Sequence, residues 1–272
     1  MCSELPEATW QTMKHELRLF FIALQFFTRV PIPHWVGFEP SWLHACARHF
    51  PLVGFLIGAV AAAVLWAGHA LFTPAVAVLL SMAASVVLTG AFHEDGWADT
   101  CDALGGAVSR ERALVIMKDS RIGSYGAVGL VLVLGLKAVA TLALPLAWAM
   151  AAVLFAHTAS RFAPVLLIRA LRYGGDLEHA KAKPLAQQIS VLGLSVAAAW
   201  VVLLAACLVA WQAAWWKAVA ISLLAALIGV WWCARWFQKR LGGYTGDTLG
   251  ASQQITEVLI LLSWVAALRW AA

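Results

Sequence analysis

Charge is scarce in this chain. Only 12% of its 272 residues are Asp, Glu, Lys or Arg, about half the share usual for a soluble domain. So few charges leave too little polar surface to keep a folded monomer in water. Cysteine is also sparse. Cys2, Cys46, Cys101, Cys207 and Cys233 form no C-x-x-C pair and are odd in number, so neither a disulfide framework nor a zinc site is implied. There is no internal repeat, no low-complexity tract and no polar stretch long enough for a separate soluble domain, so residues 1–272 read as one domain. The N-terminus lacks the basic, apolar, small-residue order of a cleaved signal peptide.

What the chain does have is apolar sequence in long blocks. Hydrophobic residues make up 62%, and the mean hydropathy is +0.82. Helices apolar on all sides are buried ones, and this many cannot share one water-soluble core. Seven blocks approach the roughly 20 residues that cross a bilayer: about 50–72, 75–92, 125–144, 147–168, 190–212, 214–234 and 253–271. A shorter block over 15–28 predicts a helix that lies in the interface or enters the bilayer partway. The expected fold is an all-α, polytopic membrane bundle.

The net charge of +5 does not point to nucleic acid, because the bases collect in the gaps between blocks. Arg29 and Arg48 precede the first span. Arg110, Arg112, Lys118 and Arg121 follow the second, Arg169, Arg172, Lys181 and Lys183 the fourth, and Arg235, Lys239 and Arg240 the sixth. The alternate connections are tiny and carry only Lys217. This asymmetry places the three long loops on the cytoplasmic side. Lys137 and Arg269 fall in or near spans, where snorkelling is the simplest expectation. Gly54 and Gly58 form a small-residue pair suited to helix packing, with dimerisation as the alternative. Trp148, Trp211, Trp215 and Trp216 suit an interfacial belt.

The acids are not scattered. Six of fourteen lie between positions 94 and 119: Glu94, Asp95, Asp99, Asp102, Glu111 and Asp119. Asp95, Asp99 and Asp102 stand at i, i+4 and i+7, one face of a helix. Their mutual repulsion needs a cation to offset it, and carboxylates are hard ligands suited to Mg2+ or Mn2+. A solvated acidic loop is the plainer alternative. His93, directly before this run, is a structural group, a proton donor or a ligand. Gly105–Gly106 ends the helix. Lys118 and Arg121 flank Asp119 and suit phosphate oxygens. Arg161, inside a span, reads as a pocket cation for a phosphate or a carboxylate. The loop over 242–250 holds Gly242, Gly243, Gly246 and Gly250 around Asp247; its amides suit a phosphate, and Asp247 a metal or a ribose hydroxyl.

These segments resemble a known family. FFTRVPIP (26–33), FPLVGFLIG (50–58), TGAFHEDGWADTCDALGG (89–106), MKDSRIGSYGAVGLVL (117–132), SRFAPVLL (160–167) and GGYTGDTLGA (242–251) are similar, in order and across almost the whole chain, to those of the cobalamin synthase family, the adenosylcobinamide-GDP ribazoletransferases. The specific signal is the combination H-x-D-G-x-A-D-x-x-D, M-K-D-S-R-I-G and G-G-x-T-G-D. The resemblance implies a Mg2+-dependent, multi-pass enzyme of the bacterial inner membrane with its site facing the cytoplasm. It joins adenosylcobinamide-GDP to α-ribazole or its 5′-phosphate, releases GMP, and completes the nucleotide loop of cobalamin. Enzymes of the same pathway are possible partners, and an oligomer is possible. Two features depart from the pattern: Glu94, where an apolar residue is usual, and a longer polar N-terminus. The first leaves open whether Glu94 touches the metal.

On that reading Asp95, Asp99 and Asp102 hold the metal, with Asp119 or Asp247 completing its shell. Lys118, Arg121, Arg161, Gly243 and Gly246 meet phosphate. A carboxylate, or His93 as runner-up, takes the hydroxyl proton. Two rival readings fit the sequence less well. A CDP-alcohol phosphotransferase requires D-x-x-D-G-x-x-A-R, and no such Arg follows Asp95–Gly96. A transporter would place its key charges at mid-bilayer in paired broken helices, whereas these acids sit in a cytoplasmic loop.

Overall fold

The computed structural model describes residues 7–175 and 188–270; Cys2, Lys181 and Lys183 lie outside them. Twelve α-helices make up the described chain: α1 (Glu7–Phe27), α2 (Trp42–Ala45), α3 (Phe50–Leu71), α4 (Pro74–Thr89), α5 (Phe92–Leu104), α6 (Arg110–Met117), α7 (Ser124–Leu142), α8 (Leu146–Ser160), α9 (Phe162–Ala170), α10 (Val191–Trp211), α11 (Trp216–Leu241) and α12 (Gly246–Arg269). Six helical stretches are long and apolar enough to cross a membrane, seven if the bent pair α4–α5 counts as one. The all-helical, multi-pass expectation holds.

Two spans differ from their sequence reading. The block over 75–92 is not one helix. α4 stops at Thr89, Gly90 (φ 68°) and Ala91 (φ 60°) both take the left-handed conformation, and α5 leaves at 89° to α4. The acidic residues therefore lie on a helix turned off a span, not in a loop. Gly90 is suited to this turn; Ala91 is a non-glycine held there at a small steric cost.

The last span starts seven residues earlier than hydropathy suggests, at Gly246. Thr245 and Thr248 form a reciprocal capping box at its start, which satisfies the first orphan amides. The next turns carry Ser252, Gln253, Gln254, Thr256 and Glu257, all buried. Hydropathy missed this half because α12 is solvated by other helices, not by lipid: it packs on α5, α7, α8, α9 and α11.

Small residues set the remaining contacts. A Cβ on Gly54 would stand 2.2 Å from the His157 carbonyl oxygen, and one on Gly58 3.1 Å from the Leu154 Cα. The G-x-x-x-G face is thus the α3–α8 contact within the bundle, as the packing reading expected. Trp211 and Trp216 are exposed, as a belt requires, but Trp148 and Trp215 join Trp264 in an inner aromatic cluster with centroids 5.7–6.2 Å apart. α1 is longer than expected. It buries Leu19, Ile22, Ala23 and Phe27 with Phe50, Val53 and Val165, and Glu16 accepts from Arg48 at 2.8 Å and meets His49 at 2.9 Å.

Candidate active site

α5 carries Asp95, Asp99 and Asp102 along one face, with Asp95 exposed and the other two partly buried. The opposite side holds the buried His93, Gly96, Thr100 and Ala103. Gly96 lets the backbones of α5 and α12 touch: a Cβ there would stand 2.8 Å from the Asp247 carbonyl oxygen and 3.3 Å from the Gly250 Cα. That crossing brings the start of α12, and with it Asp247, beside the acidic helix.

Asp102 is engaged by backbone. Gly123 N–H donates to its Oδ2 at 2.7 Å and Gly126 N–H to its Oδ1 at 2.8 Å. A carboxylate over the first amides of α7 is favoured by both hydrogen bonding and the helix dipole. Asp119 pairs with Arg121 through two oxygens, at 3.0 and 2.7 Å. This neighbour raises the Arg121 pKa further. Among the described residues, no three His, Cys, Asp or Glu side chains are grouped to hold a metal. The five expected carboxylates thus do not close into a cage, since Asp102 turns to α7 and Asp119 to Arg121. Mg2+ asks for only one or two carboxylates, with water and substrate phosphate completing its shell, and the α5 face still offers that donor set.

The described parts of the three long connections meet at one end of the bundle. Met117, ending α6, receives a hydrogen bond from Thr245 at 3.6 Å, so Lys118 follows directly beside the α12 cap. Arg110 donates to the carbonyls of Leu241 (2.7 Å) and Gly174 (2.8 Å). Arg240 donates to Leu104 (2.9 Å) and Gly106 (2.7 Å) at the end of α5. These two arginines, readable as topology signals, also satisfy helix-end carbonyls. Gly243 serves packing: its Cβ would lie 2.1 Å from the Arg172 carbonyl oxygen, where Tyr173 and Tyr244 form a two-residue parallel bridge. Burial and Tyr173 push the Tyr244 hydroxyl up to about 12, so it stays a neutral phenol. Gly246 opens α12 with free space where a Cβ would stand.

Beneath the acidic face lies a charged cluster that the sequence reading did not assemble. Lys137 Nζ is 2.9 Å from Glu257 Oε1 and 3.9 Å from Glu94 Oε1. It does not snorkel; it is buried and paired. Arg269, by contrast, is exposed at the end of α12. Gln254 donates to Glu94 and to Gln253, both at 3.0 Å; Gln253 donates to Ser160 at 2.9 Å and to Glu257. Arg161 is fully buried and donates to the His157 carbonyl at 2.8 Å and to its Nδ1 at 3.3 Å. Two cations thus balance two carboxylates in a low-dielectric interior, the arrangement a buried charge requires. Arg161 belongs to this cluster rather than to the open acidic face. His93 is also buried, stacked on Phe27 with centroids 5.3 Å apart.

The chain matches the family model described as cobalamin-5-phosphate synthase over residues 19–265. It belongs to that family. Relatives named adenosylcobinamide-GDP ribazoletransferase include one from Leptothrix cholodnii, 60% identical over 93% of this chain and 96% of the relative. Others come from Albidiferax ferrireducens, 45% identical over 94% and 100% of the two chains, and Shewanella frigidimarina, 44% identical over 91% and 94%. No solved structure matches the chain.

In this cobalamin-5-phosphate synthase family member, sequence alone located the acidic helix and its two companion segments. It missed Glu257, Gln253, Gln254 and His157. The available signal was the unexplained Lys137: a lone cation deep in a span requires a counter-charge, and Glu257 is the one acid in the last apolar block.

Proposed function

We propose that the chain transfers the adenosylcobinamide-phosphate group of adenosylcobinamide-GDP to a ribose hydroxyl of α-ribazole, or of its 5′-phosphate. GMP is released and the nucleotide loop of cobalamin is closed. The observation that carries this reading is the convergence of three family segments, on α5, the α6–α7 connection and the start of α12, at one end of a multi-pass bundle. The bases in these connections orient that end toward the cytoplasm, and the membrane is the bacterial inner one. Residues 1–272 act as one transferase unit.

The chemistry is a displacement at phosphorus. The new bond joins the attacking ribose oxygen to the corrinoid-side phosphorus, and the bond to the GMP oxygen breaks. Asp95 and Asp99, with Asp247 across the Gly96 contact, would hold Mg2+, which supplies charge neutralisation on the diphosphate. Asp102 fixes the start of α7 against this face. Lys118 and Arg121 meet phosphate oxygens, and the positive end of α12 at Gly246 adds its dipole. A carboxylate of the open face takes the hydroxyl proton; His93, buried beneath Phe27, acts on the packing side of α5. Positioning and electrostatics account for most of the rate in such transfers.

The test is GMP release by the purified protein supplied with adenosylcobinamide-GDP and α-ribazole. Activity should stop with EDTA, return with Mg2+, and be abolished in Asp99→Asn while that variant still inserts and folds. Full turnover by Asp99→Asn would remove the acidic face from the reaction.

A further inference from the structure

We infer that Lys137 is a positioning residue for the reaction: its ammonium, on α7 and 43 residues beyond Glu94 along the chain but 3.9 Å from its carboxylate in space, holds Glu94 and thereby seats α5. This rests on the proposed Mg2+-dependent transfer, because seating is read through the metal-holding face.

Lys137 serves two carboxylates, Glu257 on α12 at 2.9 Å and Glu94 on α5 at 3.9 Å. The two are not equivalent. The Glu257 side chain is 6% exposed and also receives Gln253, so it is enclosed by protein. Glu94 is 13% exposed, stands directly before the exposed Asp95, and has a buried Oε2 with no hydrogen-bond partner. The Gln254 Oε1 and Arg161 Nε beside this cluster are likewise buried and unpartnered, so its hydrogen bonding is incomplete. A cavity of about 30 Å³ adjoins Glu94, Lys137, His157 and Glu257, which leaves room for side chains to shift.

With Lys137 present, two cations face two carboxylates. Remove Lys137, and Arg161 alone faces both. One carboxylate must then move toward water, and Glu94 is the one able to do so. Its movement lifts the first turn of α5, and with it Asp95 and Asp99. Remove Glu257 instead, and Lys137 turns wholly to Glu94, so α5 stays seated. Remove both, and Arg161 balances Glu94. An ordinary structural ion pair predicts a different pattern, equal damage from losing either partner, because each loss leaves one unpaired buried charge.

The experiment uses purified full-length protein in lipid nanodiscs. It measures Mn2+ binding by electron paramagnetic resonance, without substrate, and the Mg2+ dependence of GMP release. Lys137→Met is expected to weaken Mn2+ binding and raise half-saturating Mg2+ at least tenfold. Glu257→Gln and the double variant Lys137→Met/Glu257→Gln are expected to stay within threefold of wild type. Equal damage in Lys137→Met and Glu257→Gln, or unchanged Mn2+ affinity in folded Lys137→Met, overturns the proposal. If Lys137→Met does not survive extraction, the other two variants decide: a tenfold loss of Mn2+ binding in either refutes the seating role, and retention in both supports it. Wild-type protein that binds no Mn2+ and releases no GMP would instead refute the metal-dependent transfer itself.

Discussion

Gly96→Ala sets two effects against each other. Alanine is the better helix former by about 1 kcal/mol in a helix interior, so propensity alone forecasts a stabilised α5. The tertiary contact forecasts the reverse. The new methyl carbon would stand 2.8 Å from the Asp247 carbonyl oxygen and 3.2 Å from the Asp247 Cα. Both are backbone atoms and cannot swing away as a side chain would. Restoring ordinary contact of about 3.4 Å requires the helices to separate by roughly 0.6 Å, and overpacking of this kind costs about 1–3 kcal/mol. The two terms leave a net destabilisation of about 0–2 kcal/mol, so the variant still folds. Activity should suffer more than stability, since displacement of reacting groups by about 1 Å can cost on the order of a hundredfold in rate. Thermal unfolding in detergent and GMP release, measured on the same preparation, separate the two quantities. A Gly96→Ala protein that is more stable than wild type and fully active would show that the α5–α12 contact does not set the site.

Three further substitutions test other parts of the structure. Asp102→Ala removes the acceptor for Gly123 and Gly126 and should lower stability by about 1–2 kcal/mol, with Asp102→Asn losing less; thermal unfolding measures both. Gly54→Ala places a methyl 2.2 Å from the His157 carbonyl oxygen and should cut the yield of folded protein in membranes, read by fluorescence-detected size exclusion. Arg121→Ala breaks an exposed pair with Asp119 that water already screens; unfolding should be unchanged, while the KM for adenosylcobinamide-GDP should rise if Arg121 meets phosphate.

Much of the molecule follows from elementary features of its sequence. Apolar blocks of bilayer length made the spans, because backbone polar groups in lipid must bond within a helix. The basic residues between alternate blocks grouped the three long connections, and the i, i+4, i+7 spacing placed three aspartates on one face of α5. What the sequence could not decide was partnership, which depends on distances through space. The turn at Gly90–Ala91 converts the end of an apolar block into a crosswise helix, a change hydropathy cannot register. Asp102 and Asp119 carry the same charge as Asp95, but only the fold hands one to the amides of α7 and the other to Arg121. The polar half of α12 is invisible to a hydropathy window because its solvent is protein. Lys137 is an anomaly in sequence and an explained ion pair in three dimensions, since its counter-charges come from helices over forty residues before it and over a hundred after it along the chain.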